Sequence, residues 1–127
     1  TIQIHGVPVH VTHHHRERLE SSCDVGRSPI HLADEFPSFA FDHLPDVWWH
    51  DAEERDPRGF AIESSEMVAA RADEFGRWLR QRPEQSIAVI GHGAFFFHLT
   101  GRWMKNCEIV RWEPAPATME LGGGASA

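Results

Sequence analysis

A chain of 127 residues, 41% of them hydrophobic, can bury roughly two thirds of its unfolded surface and fits a single globular domain. Twelve Lys and Arg stand against 19 Asp and Glu, and the net charge of -7 argues against unaided binding to nucleic acid or to an anionic membrane. No apolar run approaches the roughly 20 residues that span a bilayer, and no charged start leads into an apolar signal core. The two cysteines, Cys23 and Cys107, lie far apart with no CxxC pair. They suggest neither a disulfide framework nor a thiolate zinc site, and a reducing, cytoplasmic setting is expected. Because the first residue is Thr1 rather than Met, the lack of a targeting signal is weak evidence.

In chain order, Gly6 to Thr12 alternates β-branched residues with others and predicts a short strand that runs into His13-His14-His15. Residues 24–60 carry Gly, Pro, Asp and aromatic residues without sustained periodicity, with a short helical piece near 29–35. An irregular stretch of this length inside one domain is expected to be a lid or binding loop. From Ser64 to Arg82, Val68, Ala72, Phe75, Trp78 and Leu79 recur at spacings of three and four and predict an amphipathic helix closed by Pro83. Ile87 to Ile90 is apolar throughout, as a strand buried on both faces of a parallel sheet is. A second helix is predicted over 94–104 and another strand over 107–112. Pro114-Ala-Pro116 interrupts regular structure, and Gly122 to Ala127 reads as a frayed tail. Residues 1–113 are therefore expected to be the folded portion, and 114–127 an irregular tail.

Two constellations carry chemistry. Gly91-His92-Gly93 follows the most apolar predicted strand, where ligands of open α/β sheets collect. Gly91 permits a tight turn, Gly93 lets a ligand approach the backbone, and the N–H groups that open the next helix, from Ala94 on, favour an anion. By itself the motif is short, and a turn with a partly exposed histidine explains it equally well. Arg16-Glu17-Arg18 follows the first predicted strand. In isolation Glu17 reads as an ordinary salt-bridged surface carboxylate, and beside a phosphate ester it could instead donate a proton. His13, His15 and Glu17 would alternate onto one face if that strand continued, the pattern of a metal-dependent hydrolase or binding module, but spacing fixes no further ligand.

Taken in order, Arg16-Glu-Arg-Leu19 through Gly26, Phe36-Pro37, Asp46-Val-Trp-Trp49, Glu66 to Pro83, Ile87 to Gly93 and Asn106-Cys-Glu-Ile109 resemble the histidine phosphatase superfamily, in its phosphoglycerate-mutase-like branch. The resemblance covers about residues 6–113. It implies an α/β/α sandwich with a mostly parallel sheet. Glu17 matches the glutamate of an L-R-E type motif that acts as general acid, and His92 the histidine of a (S/G)-H-G motif that contacts the phosphoryl group. Arg16, Gly91, Gly93 and Ala94 then border the substrate, a small phosphorylated molecule, and the chemistry needs neither cofactor nor metal. Residues 24–60, with Trp48 and Trp49, would border the pocket and choose the leaving group. The six acidic residues from Asp42 to Asp56 would disfavour highly anionic substrates, although a solvated acidic loop is the plainer reading.

The departures matter as much. The family's nucleophile belongs to an R-H-G motif ending its first strand, and this sequence contains no Arg-His pair. His5-Gly6 follows Ile4 rather than an arginine, and residues 6–16 are too few for the helices expected before Glu17. The expectation is therefore a C-terminal portion of such a domain, with a sheet incomplete at its N-terminus and no nucleophile of its own. The competing expectation is a catalytically inactive module that binds phosphorylated ligands or a protein partner.

Overall fold

The computed structural model describes residues 2–115. The chain is a mixed α/β structure. Strand β1 (Ile2–Ile4) and strand β2 (Val7–Val9) form an antiparallel hairpin with Ile4 opposite Val7. Its two-residue loop places both His5 (φ 50) and Gly6 (φ 80) in the left-handed region, the geometry that matches the twist of tight hairpins. Glycine adopts it freely and histidine does so at some cost. The His-Gly pair is thus a turn, and the predicted strand over 6–12 leaves its ladder after Val9.

A single 3₁₀ turn at Ser22–Asp24 follows, held by Asp24 Oδ2, which accepts from the amides of Glu20 at 3.0 Å and Ser21 at 2.9 Å. Helix α1 (Pro29–Glu35) sits where the sequence places it, with Ser28 as N-cap and Pro29 in the first turn, where a missing N–H costs nothing. Between α1 and residue 63 the chain is irregular, as predicted, and is pinned by the buried side chains of Phe41 and Leu44.

Helix α2 (Ser65–Arg80) starts at Ser64, whose hydroxyl accepts from the Met67 amide at 3.2 Å, and carries Arg77 and Arg80 in its last turn, where cations complement the helix dipole. Its Val68, Ala72, Phe75 and Leu79 are buried together with Phe95 of helix α3 (Gly93–Thr100), and Trp78, Val89, Phe96, Leu99 and Trp112 pack around them. Phe75 and Phe95 meet edge to face at 5.7 Å. Helix α3 is shorter than the predicted 94–104 because Gly101 turns left-handed (φ 76) and donates its amide to Phe97 O at 2.8 Å.

The predicted strands over 87–90 and 107–112 are the clearest difference. Among the described residues the sheet pairing is that of β1 with β2, and neither segment has a ladder partner. Val89 packs on the α2–α3 core, while Ile90 is 88% and Ile109 96% exposed. An apolar run states what a segment needs to bury, and these residues provide no neighbouring strand to bury it against.

Candidate active site

The segment bearing Glu17 is irregular, with its backbone path fixed by a buried ion pair rather than by a sheet. Glu63, 2% exposed, and Arg71, 9% exposed, meet in a bidentate pair: Arg71 Nε donates to Oε1 at 3.0 Å and Nη2 to Oε2 at 2.8 Å. The remaining arm, Nη1, donates to the carbonyls of His14 at 2.9 Å and Arg16 at 2.8 Å. Glu63 adds its backbone, donating its amide to Leu19 O at 3.0 Å and accepting from Arg18 Nε at 2.8 Å. Arg71 also lies over the Phe95 ring, 5.0 Å from its centroid. One helix side chain therefore clamps residues 14–16 against the α2–α3 core.

So held, Glu17 reaches the start of α3. Its Oε2 accepts from the Ala94 amide at 3.2 Å, and its Oε1 from the Phe95 amide at 3.1 Å and from Arg18 N at 2.9 Å. His92 is the N-cap residue of α3 with extended backbone, yet its side chain makes no capping bond. A carboxylate brought from 77 residues upstream caps the helix instead, where the dipole and unpaired amides favour negative charge. Glu17 and His92, predicted as site residues from separate motifs, thus share one helix terminus. Gly91 is needed for packing: a Cβ there would lie 2.9 Å from the Phe96 ring and 3.4 Å from His15. At Gly93 a Cβ would meet only Trp103 at an ordinary 3.8 Å.

Glu17 and His92 line a cavity of about 540 Å³, together with His13, His15 and Arg16. A smaller cavity of about 260 Å³ beside the hairpin, bordered by His10 and His43, holds none of these five groups. Arg16 contacts Glu63 at 3.5 Å with its side chain 16% exposed, and its Nε is buried without a partner, as is His15 Nδ1. Burial draws the Arg16 pKa down, with Arg71 acting the same way and Glu63 opposing.

The histidine run is a turn rather than a continued strand, and although His13 and His15 both border the cavity they do not converge on a common point. His13 stacks on His14 at 4.7 Å, and His15 turns inward to stack on Phe75 at 5.0 Å. Among the described residues no three His, Cys, Asp or Glu side chains gather as metal ligands. Burial lowers the His15 pKa below its ordinary 6.5; His92, His14 and Arg71 act in the same direction and the Ile90 backbone opposes them. The unfolded chain therefore binds more protons than the folded one below that value, so the contribution of neutral His15 is complete above it and is lost as the pH falls. Thermal unfolding midpoints measured down an acidic series are expected to fall. His15→Phe, which keeps the stack on Phe75, should flatten the fall in part, with His13, also lowered by burial, accounting for some of the rest. An unchanged acid slope in His15→Phe would contradict the assignment.

Sequence reasoning missed the Glu63–Arg71 clamp. Its signal was available, since Arg71 falls on the apolar stripe of α2, three residues after Val68 and four before Phe75.

Three comparisons with known proteins bear on this site. The model of the family described as "Histidine phosphatase superfamily (branch 1)" matches residues 3–118. A phosphoglycerate mutase-like protein of Arabidopsis thaliana is 35% identical over 88 residues, which are 67% of this chain and 30% of the relative; the chain thus spans under a third of that protein's length. No solved structure matches the chain significantly.

Proposed function

The chain belongs to the histidine phosphatase superfamily, branch 1, and from that membership we propose that it supplies the general-acid and second-histidine part of a metal-independent phosphomonoester site. The nucleophilic histidine and its R-H-G strand would come from residues outside these 127. That strand would also pair with the unpartnered apolar run at 87–90 and complete an α/β/α sandwich around a mostly parallel sheet.

In the proposed reaction the nucleophilic histidine nitrogen attacks phosphorus, the P–O bond to the leaving group breaks, and Glu17 gives its proton to the departing oxygen. Water then attacks the phosphohistidine, Glu17 takes back a proton, and the histidine is released with inorganic phosphate. His92 would donate to a phosphoryl oxygen, and Arg16 would balance its charge from the cavity wall. The Ala94 amide donates to Glu17 Oε2 at 3.2 Å. A phosphoryl oxygen could take over that amide as the carboxyl turns to the leaving oxygen, which gives Gly93 and Ala94 their expected place beside the substrate.

The observation that carries this reading is that Glu17 caps the helix that starts just after His92, at a cavity where Arg16 Nε and His15 Nδ1 are buried without partners. Hydrolysis of p-nitrophenyl phosphate tests it. The 127 residues alone are expected to turn over no faster than buffer, whereas a longer form carrying an R-H-G strand is active and is impaired by His92→Ala. Robust turnover by the 127 residues, lost on His92→Ala, would show that the nucleophile lies within them. An inactive longer form that still binds phosphate would favour the phospho-ligand-binding module.

A further inference from the structure

We infer that the phosphomonoester taken by this site carries an uncharged, flat apolar leaving group, an aryl group or one of similar shape, bound against Trp48; the inference rests on the reading of Glu17 and His92 as a phosphoryl site. The cavity has two kinds of wall. Beyond its titratable groups it is lined by Val25, Leu32, Phe41, Leu44 and Trp48, and its volume of about 540 Å³ suits a small organic molecule rather than phosphate alone.

Trp48 is built as a rigid panel. Its Nε1 donates to Arg27 O at 2.8 Å, so the polar edge of the indole is already satisfied. The ring lies directly on the backbone of Gly26, where an added Cβ would come within 2.6 Å of Trp48 Cζ2 and 2.4 Å of Trp49 Cε3. Trp49 meets Trp48 edge to face at 5.6 Å, and Phe41 and Leu44 are buried. A wall fixed in this way loses little conformational freedom when a ligand arrives.

Charge narrows the class further. Arg16 is the one guanidinium or ammonium among the described residues that line the cavity, and it already contacts Glu63 and His13 O. Asp24 lines the cavity as well. A leaving group with its own carboxylate would find no free cation there and would face that aspartate, so burying its charge would go uncompensated.

Titration calorimetry of the nucleophile-bearing form with three non-hydrolysed probes tests this: phenylphosphonate, methylphosphonate and phenol. Phenylphosphonate is expected to bind about tenfold or more tighter than methylphosphonate. Trp48→Ala, and independently Gly26→Ala, which displaces the indole without touching Glu17 or His92, should abolish that preference and leave methylphosphonate affinity unchanged. Trp48→Phe should retain part of it, separating lost contact from lost folding. Equal affinity of the two phosphonates would overturn the inference while leaving the phosphoryl site standing. Phenol binding as tightly as phenylphosphonate would overturn the phosphoryl reading, and the absence of binding by every probe would overturn both.

Discussion

Glu63→Ala is expected to lower the unfolding free energy by about 3–5 kcal/mol, the cost of stranding a buried charge whose partner has been removed. Arg71 has no alternative carboxylate: both oxygens of its partner are on Glu63, and its third arm is spent on the carbonyls of His14 and Arg16. Against a typical stability of about 5–15 kcal/mol this loss is large. Arg71→Met should cost a similar amount for a different reason, since it strands the carboxylate and also leaves two backbone acceptors without their donor. The double variant Glu63→Leu with Arg71→Met should fall short of the sum, because neither member of the pair is left facing the other's absence, although Arg16 loses its contact with Glu63. It should not return to wild type, because the His14 and Arg16 carbonyls stay unpaired. Urea unfolding followed by tryptophan fluorescence gives the three values. A single-variant loss below about 1 kcal/mol, the range of exposed pairs, would mean that the clamp does not hold the segment.

The second large effect is catalytic. In the form that carries the nucleophile, Glu17→Gln is expected to reduce kcat by about 10²–10⁴, the usual worth of a positioned general acid, with a smaller change in KM. The substitution is close to isosteric, but it turns one acceptor of the α3 cap into a donor. Either the Ala94 or the Phe95 amide then faces an NH₂ group, and a stability loss of about 1 kcal/mol should accompany the kinetic one. Because that loss leaves the chain folded, steady-state kinetics below the unfolding transition separates the two. A kcat within a few-fold of wild type would leave Glu17 as a helix cap and nothing more.

Local chemistry made part of this molecule legible in advance. Ser28-Pro29 announced α1, and the three- and four-residue spacing from Val68 to Leu79 announced α2, because capping and amphipathic burial are encoded within the segment itself. The motifs around Glu17 and His92 pointed to one site, and their meeting at α3 follows from the chain path. Sheet formation was not legible in the same way, since the apolar character of Ile87 to Ile90 describes a need for neighbours and says nothing of whether 127 residues contain them. The Glu63–Arg71 pair was visible only as an arginine on an apolar stripe, and its partner lies eight residues earlier, outside the helix. Gly26 against Trp48 is a contact between two irregular segments, for which no periodicity exists to read.

The role of Glu17 as the proton donor to the leaving oxygen is open to one direct measurement: the dependence of kcat/KM on leaving-group acidity across a series of aryl phosphates, in the nucleophile-bearing form with and without Glu17→Gln. A proton donated in the transition state makes the enzyme nearly indifferent to how stable the departing anion is. The wild-type slope should therefore be shallow and the Glu17→Gln slope steep, with the loss smallest for p-nitrophenyl phosphate and largest for the most basic leaving groups. Parallel slopes, with every substrate slowed by the same factor, would contradict proton donation by Glu17.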